Sequence, residues 1–163
     1  MLKVAILMGS DSDLPIMQGA IDMLKTFEVP FCVRVLSAHR TPAACQAFAA
    51  AARDNGFGVM IAGAGKAAHL AGALAAQTSL PVIGVPIKSS TLDGLDALLA
   101  TVQMPKGMPV ATVAIDGSAN AGLLAVQILA VSDGALARKL HDFRVQQTDQ
   151  VLKRDQEIQA RFS

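Results

Sequence analysis

Three polar segments of the 163-residue chain contain the side chains best suited to bind an anion or to move a proton. They span residues 9–13 (GSDSD), 37–42 (SAHRTP) and 63–70 (GAGKAAHL), and each follows a short apolar run. Such runs are typical of buried strands, and the loops that follow parallel strands gather at the edge of the sheet where ligands bind. We therefore expect the chemistry of this protein in these three loops.

The first segment places Ser10, Ser12 and Asp13 just before a predicted helix. Small residues and hydroxyls at a helix N-terminus suit a phosphate, because free backbone N–H groups and the helix dipole favour an anion. Simple N-capping by serine or aspartate explains the same residues equally well. The segment is neither a GxGxxG fingerprint nor a Walker loop, which argues against dinucleotides and nucleoside triphosphates as ligands.

The second segment places Ser37, His39 and Arg40 in a loop, since Pro42 can start the next helix with Thr41 as its cap. Arginine can hold a phosphate through two parallel hydrogen bonds, and histidine readily exchanges a proton near neutral pH. This pattern makes His39 the candidate proton-transfer group. A surface His–Arg pair without a function is the alternative.

The third segment combines glycines with Lys66 and His69. Glycines such as Gly65 let the backbone approach a ligand closely, and a helix N-terminus after them offers further N–H donors. His69 falls on the opening turn of that helix. It is either a second imidazole that faces the ligand or a structural residue, and the sequence favours the structural role.

Five apolar runs alternate with longer segments of helical character. The predicted strands are residues 4–8, 31–36, 59–62, 82–85 and 110–115. The predicted helices are residues 14–27, 42–55, 67–77, 92–100 and 119–131. Because the runs are apolar nearly throughout, we expect strands buried on both faces of a parallel sheet. The repeated strand–helix unit predicts a doubly wound α/β fold with helices on both faces.

Composition narrows the class of protein. Apolar residues make up 52% of the chain and charged residues 17%, which excludes intrinsic disorder. The net charge of +1, with six Phe and no Trp or Tyr, argues against a nucleic-acid-binding protein. No apolar stretch reaches the ~20 residues that span a bilayer, and the N-terminus shows no cleavage signal. We predict a cytoplasmic protein without membrane attachment.

The charges are concentrated at the C-terminal end, where residues 133–163 hold 11 of the 27 charged side chains. The Ala-rich remainder has few charged residues for the surface of a soluble monomer. We therefore predict that part of this surface is buried between the subunits of a homo-oligomer. Residues 133–163 form an amphipathic helix with Leu136, Leu140 and Phe143 at helical spacing. The spacing allows this helix to pack on its own domain or on a neighbouring subunit. We predict a domain over residues 1–132 and a helical extension over 133–163 that packs on a neighbour.

Several familiar kinds of site find no support in the sequence. Cys32 and Cys45 lack metal-ligand spacing and are predicted to be buried thiols, and no His/Asp/Glu metal cluster is evident. Neither Ser10 nor Ser37 lies in a GxSxG elbow, and no pair of acids has glycosidase-like positions. From the residues alone we infer a phosphorylated small-molecule ligand, a proton-transferring His39, and no metal or cofactor.

Four segments taken together resemble the class I N5-carboxyaminoimidazole ribonucleotide mutases (PurE family) of purine biosynthesis: MGSDSD, SAHRTP, AGAGKAAHL and VQMPKGMPVATVAI. The resemblance runs from Val4 to about Val151. It implies a three-layer α/β/α flavodoxin-like domain with a central parallel sheet of about five strands and an extra C-terminal helix. It further implies an octamer with active sites at subunit boundaries. The implied reaction moves a carboxylate from the exocyclic nitrogen to C4 of the imidazole, without metal, ATP or biotin.

The resemblance also implies a role for each candidate residue. Ser10, Asp13 and Arg40 would bind the ribonucleotide, and Ser12 and Ser37 would help around its phosphate or ribose. His39 would be the catalytic acid and base. The loop that contains Gly65 and Lys66 would close over the imidazole and the migrating carboxylate, with His69 nearby.

The chain departs from the family pattern at Lys66, where the family has glycine, and at Ala71, where it has proline. If position 66 needs a positive φ, lysine there costs ~1 kcal/mol; alternatively its ammonium reaches the site and favours the carboxylate. The loop at residues 116–120 is also shorter than is usual in the family. Two other functions stay open: a carboxylase that uses carbon dioxide directly, and a non-catalytic module that binds a nucleotide or flavin.

Overall fold

A single sheet of five parallel strands forms the centre of the computed structural model, which describes residues 1–162. In chain order the strands are β1 Lys3–Met8, β2 Phe31–Val35, β3 Phe57–Gly65, β4 Val82–Ile87 and β5 Ala111–Thr112. The helices are α1 Leu14–Thr26, α2 Pro42–Ala51, α3 Leu70–Ala75, α4 Leu95–Val102, α5 Ser118–Ala130 and α6 Gly134–Phe162. The spatial order β2-β1-β3-β4-β5 confirms the predicted flavodoxin-like α/β fold.

The strands separate two hydrophobic layers because successive side chains point to opposite faces. On β1, Val4, Ile6 and Met8 join α1 and α5 in one layer, whereas Ala5 and Leu7 join α2 and α3 in the other. All five side chains are buried, as the continuous apolar run predicts for a central strand. The two layers hold the carboxyl ends of the strands at one common edge.

The contact between α1 and α5 is close because glycine and alanine lie where the helices meet. A Cβ at Gly122 of α5 would lie 2.9 Å from Met23 Cβ and 3.0 Å from the Ala20 carbonyl oxygen of α1. Met17, Ala20 and Leu24 of α1 are fully buried at helical spacing. These two helices therefore anchor the side of the sheet that carries the loop after β1.

The two outer strands differ from their predictions. β2 is a partly exposed edge strand, with Val33 and Val35 exposed and Cys32 only partly buried, so the expectation of burial on both faces is wrong there. β5 comprises two residues instead of the predicted 110–115. The neighbouring strand explains this: Pro86 of β4 accepts the Asp116 N–H at 2.8 Å but has no N–H of its own to continue the pairing.

Several boundaries also moved. β3 continues through residues 63–65, which the sequence placed in a loop, and Gly65 pairs with Ile87 of β4. The following helix, α3, has six residues instead of eleven, and α2 ends at Ala51. Before α4, residues 92–94 form a 3₁₀ turn with positive φ at Leu92 and Asp93. The extension of β3, the later start of α3 and the 3₁₀ turn lie at the edge where the polar loops gather, whereas the end of α2 lies at the opposite edge.

Helix α6 divides into a packed part and an exposed part. Leu136 is fully buried, Leu140 and Phe143 pack on the layer of α1 and α5, and the Phe143 ring meets Phe27 edge-on at 5.4 Å. From residue 144 to residue 162 every side chain is exposed. The first turns thus pack on their own domain, which is one of the two placements the sequence left open. None of the helices within residues 1–162 is long and apolar enough to cross a membrane.

Candidate active site

An open cavity of about 620 Å³ lies at the carboxyl ends of the first four strands. Its centre is the switch point between β1 and β3, where the chain order of the strands reverses and α/β folds bind ligands. It brings together eight of the nine predicted site residues. They are Ser10, Ser12, Asp13, Ser37, His39, Arg40, Gly65 and Lys66.

The loop after β1 is held by its own hydroxyl and carboxyl groups. The Ser10 N–H donates to Asp13 Oδ2 at 3.2 Å, and the Ser12 N–H donates to Ser10 Oγ at 3.3 Å. This reciprocal pair is a capping box around the 3₁₀ turn Asp11–Asp13 that leads into α1. The capping explanation is thus correct for Ser10. The same bonds also keep the two serine hydroxyls on the cavity wall.

Asp13 is the acid that lines this cavity, and its surroundings alter its ionisation. Partial burial raises the pKa of its carboxyl group above the ordinary value of 3.8, although the Ser10 N–H and the Arg40 guanidinium act in the opposite direction. An ionised carboxylate only accepts hydrogen bonds, which suits the hydroxyl groups of a ligand. Asp13 is therefore suited to a sugar rather than to an anion.

Arg40 reaches from the loop after β2 to the loop after β1. Its Nη2 donates to the Gly9 carbonyl oxygen at 2.8 Å and its Nε donates to Ser37 Oγ at 3.3 Å. Thr41 Oγ1 accepts the Ser37 N–H at 2.9 Å and so closes this turn. The sequence predicts Thr41 as the cap of α2, but its side chain forms no capping hydrogen bond. Pro42 does begin α2, as predicted. The guanidinium is fixed beside the serine-rich wall, where it can bind an anion.

His39 and His69 are in direct contact. His39 Nε2 lies 3.0 Å from His69 Nδ1, and the two rings meet almost at right angles. Only one of these two nitrogens carries the shared hydrogen, so the tautomer of one ring determines the tautomer of the other. His69 occupies the N-cap position of α3 and, unlike the other predicted site residues, does not line the cavity. It contacts His39 instead of facing the ligand space.

Lys66 has the positive φ that the sequence analysis considered for this position. Its φ is +53°, in the left-handed region that glycine occupies without strain, and the residue is exposed on the cavity wall. The two glycines that precede Lys66 are needed for close packing. A Cβ at Gly65 would lie 3.1 Å from the Ile87 carbonyl oxygen, and one at Gly63 would collide with Met17. Gly65 thus packs closely on β4 while lining the cavity, and its role in the close approach of a ligand stays a prediction.

Lys88 and Ser89 also line the cavity, and the sequence reasoning missed them. They follow β4, where the backbone N–H of Lys88 donates to Asp116 Oδ1 at 2.8 Å and its ammonium pairs with Asp93 at 3.0 Å. The sequence contains a signal for both residues, because they are polar and directly follow an apolar run. The same rule identified the other three loops. Asp116 itself has a φ of +58° in the short loop before α5.

The family of this chain is decided by its match to known proteins. A family model described as AIR carboxylase matches residues 3–150. The chain belongs to the AIR carboxylase family. Two relatives named N5-carboxyaminoimidazole ribonucleotide mutase match this chain over most of their own length. The Escherichia coli K12 protein is 53% identical to this chain over 93% of this chain and 90% of its own length. The Pyrococcus abyssi protein is 56% identical over 88% of this chain and 83% of its own length.

Other relatives of this AIR carboxylase family chain are much longer. The Saccharomyces cerevisiae protein named phosphoribosylaminoimidazole carboxylase is 53% identical over 96% of this chain, which spans only 28% of that relative's length. Among solved structures, the crystal structure of Treponema denticola PurE superposes with a TM-score of 0.85 at 26% identity, covering 95% of this chain and 97% of the other. Sequence and structure therefore agree on the family and on the fold.

The geometry of this AIR carboxylase family site defines what it can do. The loops after β1 and β2, on one side of the cavity, offer hydroxyl groups and the Arg40 guanidinium, and the loops after β3 and β4, on the other side, offer two lysines. The His39 imidazole, paired with His69, is the proton-exchanging group on the cavity wall. The cavity is thus suited to a small molecule with two anionic groups and a proton to transfer.

Proposed function

We propose that this chain is an N5-carboxyaminoimidazole ribonucleotide mutase, which moves a carboxylate from the exocyclic nitrogen to C4 of the imidazole ribonucleotide in purine biosynthesis. The observation that carries the proposal is the position of His39. Its imidazole lines a cavity that has cationic groups on both sides, and its Nε2 is held 3.0 Å from His69 Nδ1. The chain is also 53% identical to the Escherichia coli protein of that name.

The ribonucleotide is placed by matching each of its groups to the wall that suits it. The phosphate binds Arg40 with the hydroxyls of Ser10, Ser12 and Ser37, because guanidinium and hydroxyl groups donate to phosphate oxygens. Asp13 accepts hydrogen bonds from the ribose hydroxyls. This placement directs the imidazole toward the loop after β3 and toward His39.

One imidazole is enough for the reaction. His39 in its protonated form gives a proton to the exocyclic nitrogen as the bond between that nitrogen and the carboxylate carbon breaks, which releases carbon dioxide. The cavity keeps the carbon dioxide beside C4, which attacks it and forms the new carbon–carbon bond. His39 then removes the C4 proton, which restores the aromatic ring and the protonated imidazole. General acid–base catalysis of this kind contributes about 10²–10⁴-fold, and the enclosed carbon dioxide adds proximity.

A carboxylase that takes the uncarboxylated ribonucleotide and carbon dioxide is the second candidate, since three relatives with 49–53% identity bear the name phosphoribosylaminoimidazole carboxylase. Those relatives match this chain over only 28% of their own length, whereas the mutase relatives match over 83–93% of theirs. Dependence of turnover on bicarbonate distinguishes the two activities. A non-catalytic module that binds a nucleotide or flavin stays as the third alternative.

The deciding experiment is turnover of the N5-carboxylated ribonucleotide at neutral pH without added bicarbonate, by the parent protein and by His39→Asn. We expect the C4-carboxylated isomer from the parent only. Turnover that requires the uncarboxylated ribonucleotide and bicarbonate would favour the carboxylase. Tight binding without turnover, or visible absorbance from a bound flavin, would favour the binding module.

A homo-octamer, a cytoplasmic location and a neighbour-binding role of α6 stay predictions. The exposed apolar side chains Leu95, Leu99 and Val102 on α4 and the fully exposed second half of α6 support subunit contacts. Light scattering at micromolar concentration checks the octamer, and a stable monomer there would contradict it.

A further inference from the structure

Three cationic side chains line the cavity, and they differ in how their charge is balanced. Arg40 is held by the Gly9 carbonyl oxygen and by Ser37, and it lies close enough to Asp13 to lower the pKa of that carboxyl. Lys88 forms an ion pair with Asp93 at 3.0 Å. Among residues 1–162, Lys66 has no carboxylate within ion-pair distance. The charge that is least compensated in the cavity is therefore that of Lys66.

The backbone fixes Lys66 in the same short loop as His69, the residue that contacts His39. It follows Gly65, the last residue of β3, and two short hydrogen bonds tie the next residues into consecutive tight turns. The Ala68 N–H donates to the Lys66 carbonyl oxygen at 2.8 Å, and the His69 N–H donates to the Ala67 carbonyl oxygen at 2.9 Å. These turns place Lys66 three residues before the ring that contacts His39.

The proposed substrate has two anionic groups, a phosphate and a carboxylate. Different sides of the cavity suit each of them. Arg40 and the serine hydroxyls account for the phosphate, which leaves the carboxylate without a cationic partner on that wall. The loop after β3 carries Lys66 on the cavity wall, without a carboxylate in ion-pair distance among residues 1–162, and His69, which contacts His39. Opposite charges near a protein surface attract more strongly than in bulk water, although solvent weakens an exposed pair.

We propose that Lys66 is a specificity-determining residue that binds the carboxylate of the imidazole ribonucleotide and so distinguishes carboxylated from uncarboxylated ligands. This inference rests on the proposed function. It gives a role to a lysine at a φ of +53°, a conformation in which glycine is free of strain.

A carboxylate ligand for Lys66 has a kinetic consequence. The ammonium binds the anionic carboxylate of substrate and product but interacts less with neutral carbon dioxide, which forms between them. Interactions that stabilise the ground state as much as the transition state lower KM without raising kcat. Removal of the ammonium is therefore expected to raise KM for the carboxylated substrate and to leave kcat unchanged or higher.

The test measures binding of two ribonucleotides by calorimetry: the C4-carboxylated product and the uncarboxylated aminoimidazole ribonucleotide. The variants are Lys66→Met, which removes the ammonium, and Lys66→Arg, which keeps a cation. The matched control is Lys25→Met, an exposed lysine in the last turn of α1, at the opposite end of the sheet.

We expect Lys66→Met to bind the carboxylated ligand about three- to tenfold more weakly and the uncarboxylated ligand within about twofold of the parent, as suits one partly exposed charge pair. Lys66→Arg and Lys25→Met retain the parent's preference. Raised salt should reduce the preference in the parent and have little effect in Lys66→Met.

The outcomes separate this inference from the function on which it rests. A parent that binds both ribonucleotides, with a Lys66→Met variant that weakens both equally or neither, overturns the role of Lys66 alone. A parent that binds neither ribonucleotide and turns over no substrate overturns the proposed function, and the role of Lys66 with it. Selective loss of the carboxylated ligand supports both.

Discussion

The contact between α1 and α5 and the cavity edge differ in how much backbone strain and charge they contain. Between the helices, glycine and alanine bring two backbones together, and the buried side chains around them are apolar. At the cavity edge, four residues other than glycine have a positive φ: Lys66, Leu92, Asp93 and Asp116. The cavity wall also holds Asp13, whose pKa is raised by burial. One region is optimised for packing, and the other retains strain and desolvated charge.

This difference teaches where stability and function lie in the molecule. Strained backbone and partly buried charge are unfavourable for folding and persist where the surrounding structure holds them in place. The packed layer supplies that support, since α1 and α5 cover the strands whose ends form the cavity. Substitutions in the layer should therefore change stability most, and substitutions at the edge should change activity while leaving stability equal or higher.

The largest effect is expected for Gly122→Ala in the helix contact. The added Cβ would lie 2.9 Å from Met23 Cβ and 3.0 Å from the Ala20 carbonyl oxygen, so the helices must separate, at a cost of about 1–3 kcal/mol. Urea denaturation measures the loss. The control is Gly134→Ala, whose nearest new neighbour is the Arg138 Nη1 atom at 3.8 Å and which should leave stability unchanged or up to about 1 kcal/mol higher. Equal effects at the two positions would contradict the close contact.

A smaller effect, on activity alone, is expected for His69→Leu. Loss of the hydrogen bond to His39 should lower kcat by about 10- to 100-fold with KM little changed, because a bond to a charged group contributes about 1.5–3 kcal/mol. Steady-state kinetics measure it, and the urea midpoint should not move because His69 is exposed. His141→Leu, on exposed α6, is the matched control, and His69→Asn should recover part of kcat. An unchanged kcat in His69→Leu would show that the pair has no role in turnover.

Lys66→Gly should stabilise the protein, in contrast to any change in the helix contact. Relief of the positive φ gains about 1–2 kcal/mol, from which the greater freedom of glycine in the unfolded chain subtracts part, leaving about 0.5–1 kcal/mol. Urea denaturation measures the gain. Lys66→Ala removes the ammonium but keeps the strain, and should show no gain. A destabilised Lys66→Gly would mean that the lysine side chain itself holds the loop.

The smallest effect is expected for Asp13→Asn and depends on pH. Burial raises the pKa of Asp13 in the folded protein, so its contribution to stability is fully present below the ordinary value of 3.8 and is lost as pH rises through the folded value. Asparagine stays neutral and can still accept the Ser10 N–H. The variant should therefore be the more stable protein at neutral pH, with the difference shrinking toward acid pH.

A series of urea denaturations from neutral pH downward measures this trend for both proteins. A difference that grows toward acid pH would contradict the direction of the shift. Ribonucleotide binding provides the second readout, because loss of the carboxylate removes an acceptor for the ribose hydroxyls. Weaker binding together with higher stability would confirm that the cavity edge sacrifices stability for ligand contacts.

Much of the site was predictable because two local rules apply at every strand end. An apolar run predicts a buried strand, and the polar residues that follow it lie at the ligand-binding edge, which located His39, Arg40 and the loops around Ser10 and Lys66. The same rule applied after β4 would have found Lys88. The contact between His39 and His69 was not predictable, because it joins residues 30 positions apart in two loops whose orientation no local pattern specifies.

The amino-acid sequence by itself determined the alternation of strands and helices, the fold class and the motifs that carry the family resemblance, because hydrophobic periodicity and turn residues act over a few neighbours. Only the tertiary structure decided which strands lie at the edges, how far β3 and β5 extend, and how each cation in the cavity is balanced. The physical reason is that these properties depend on distant partners. Pro86 limits β5, Asp93 pairs with Lys88, and Lys66 has no such partner within the described chain.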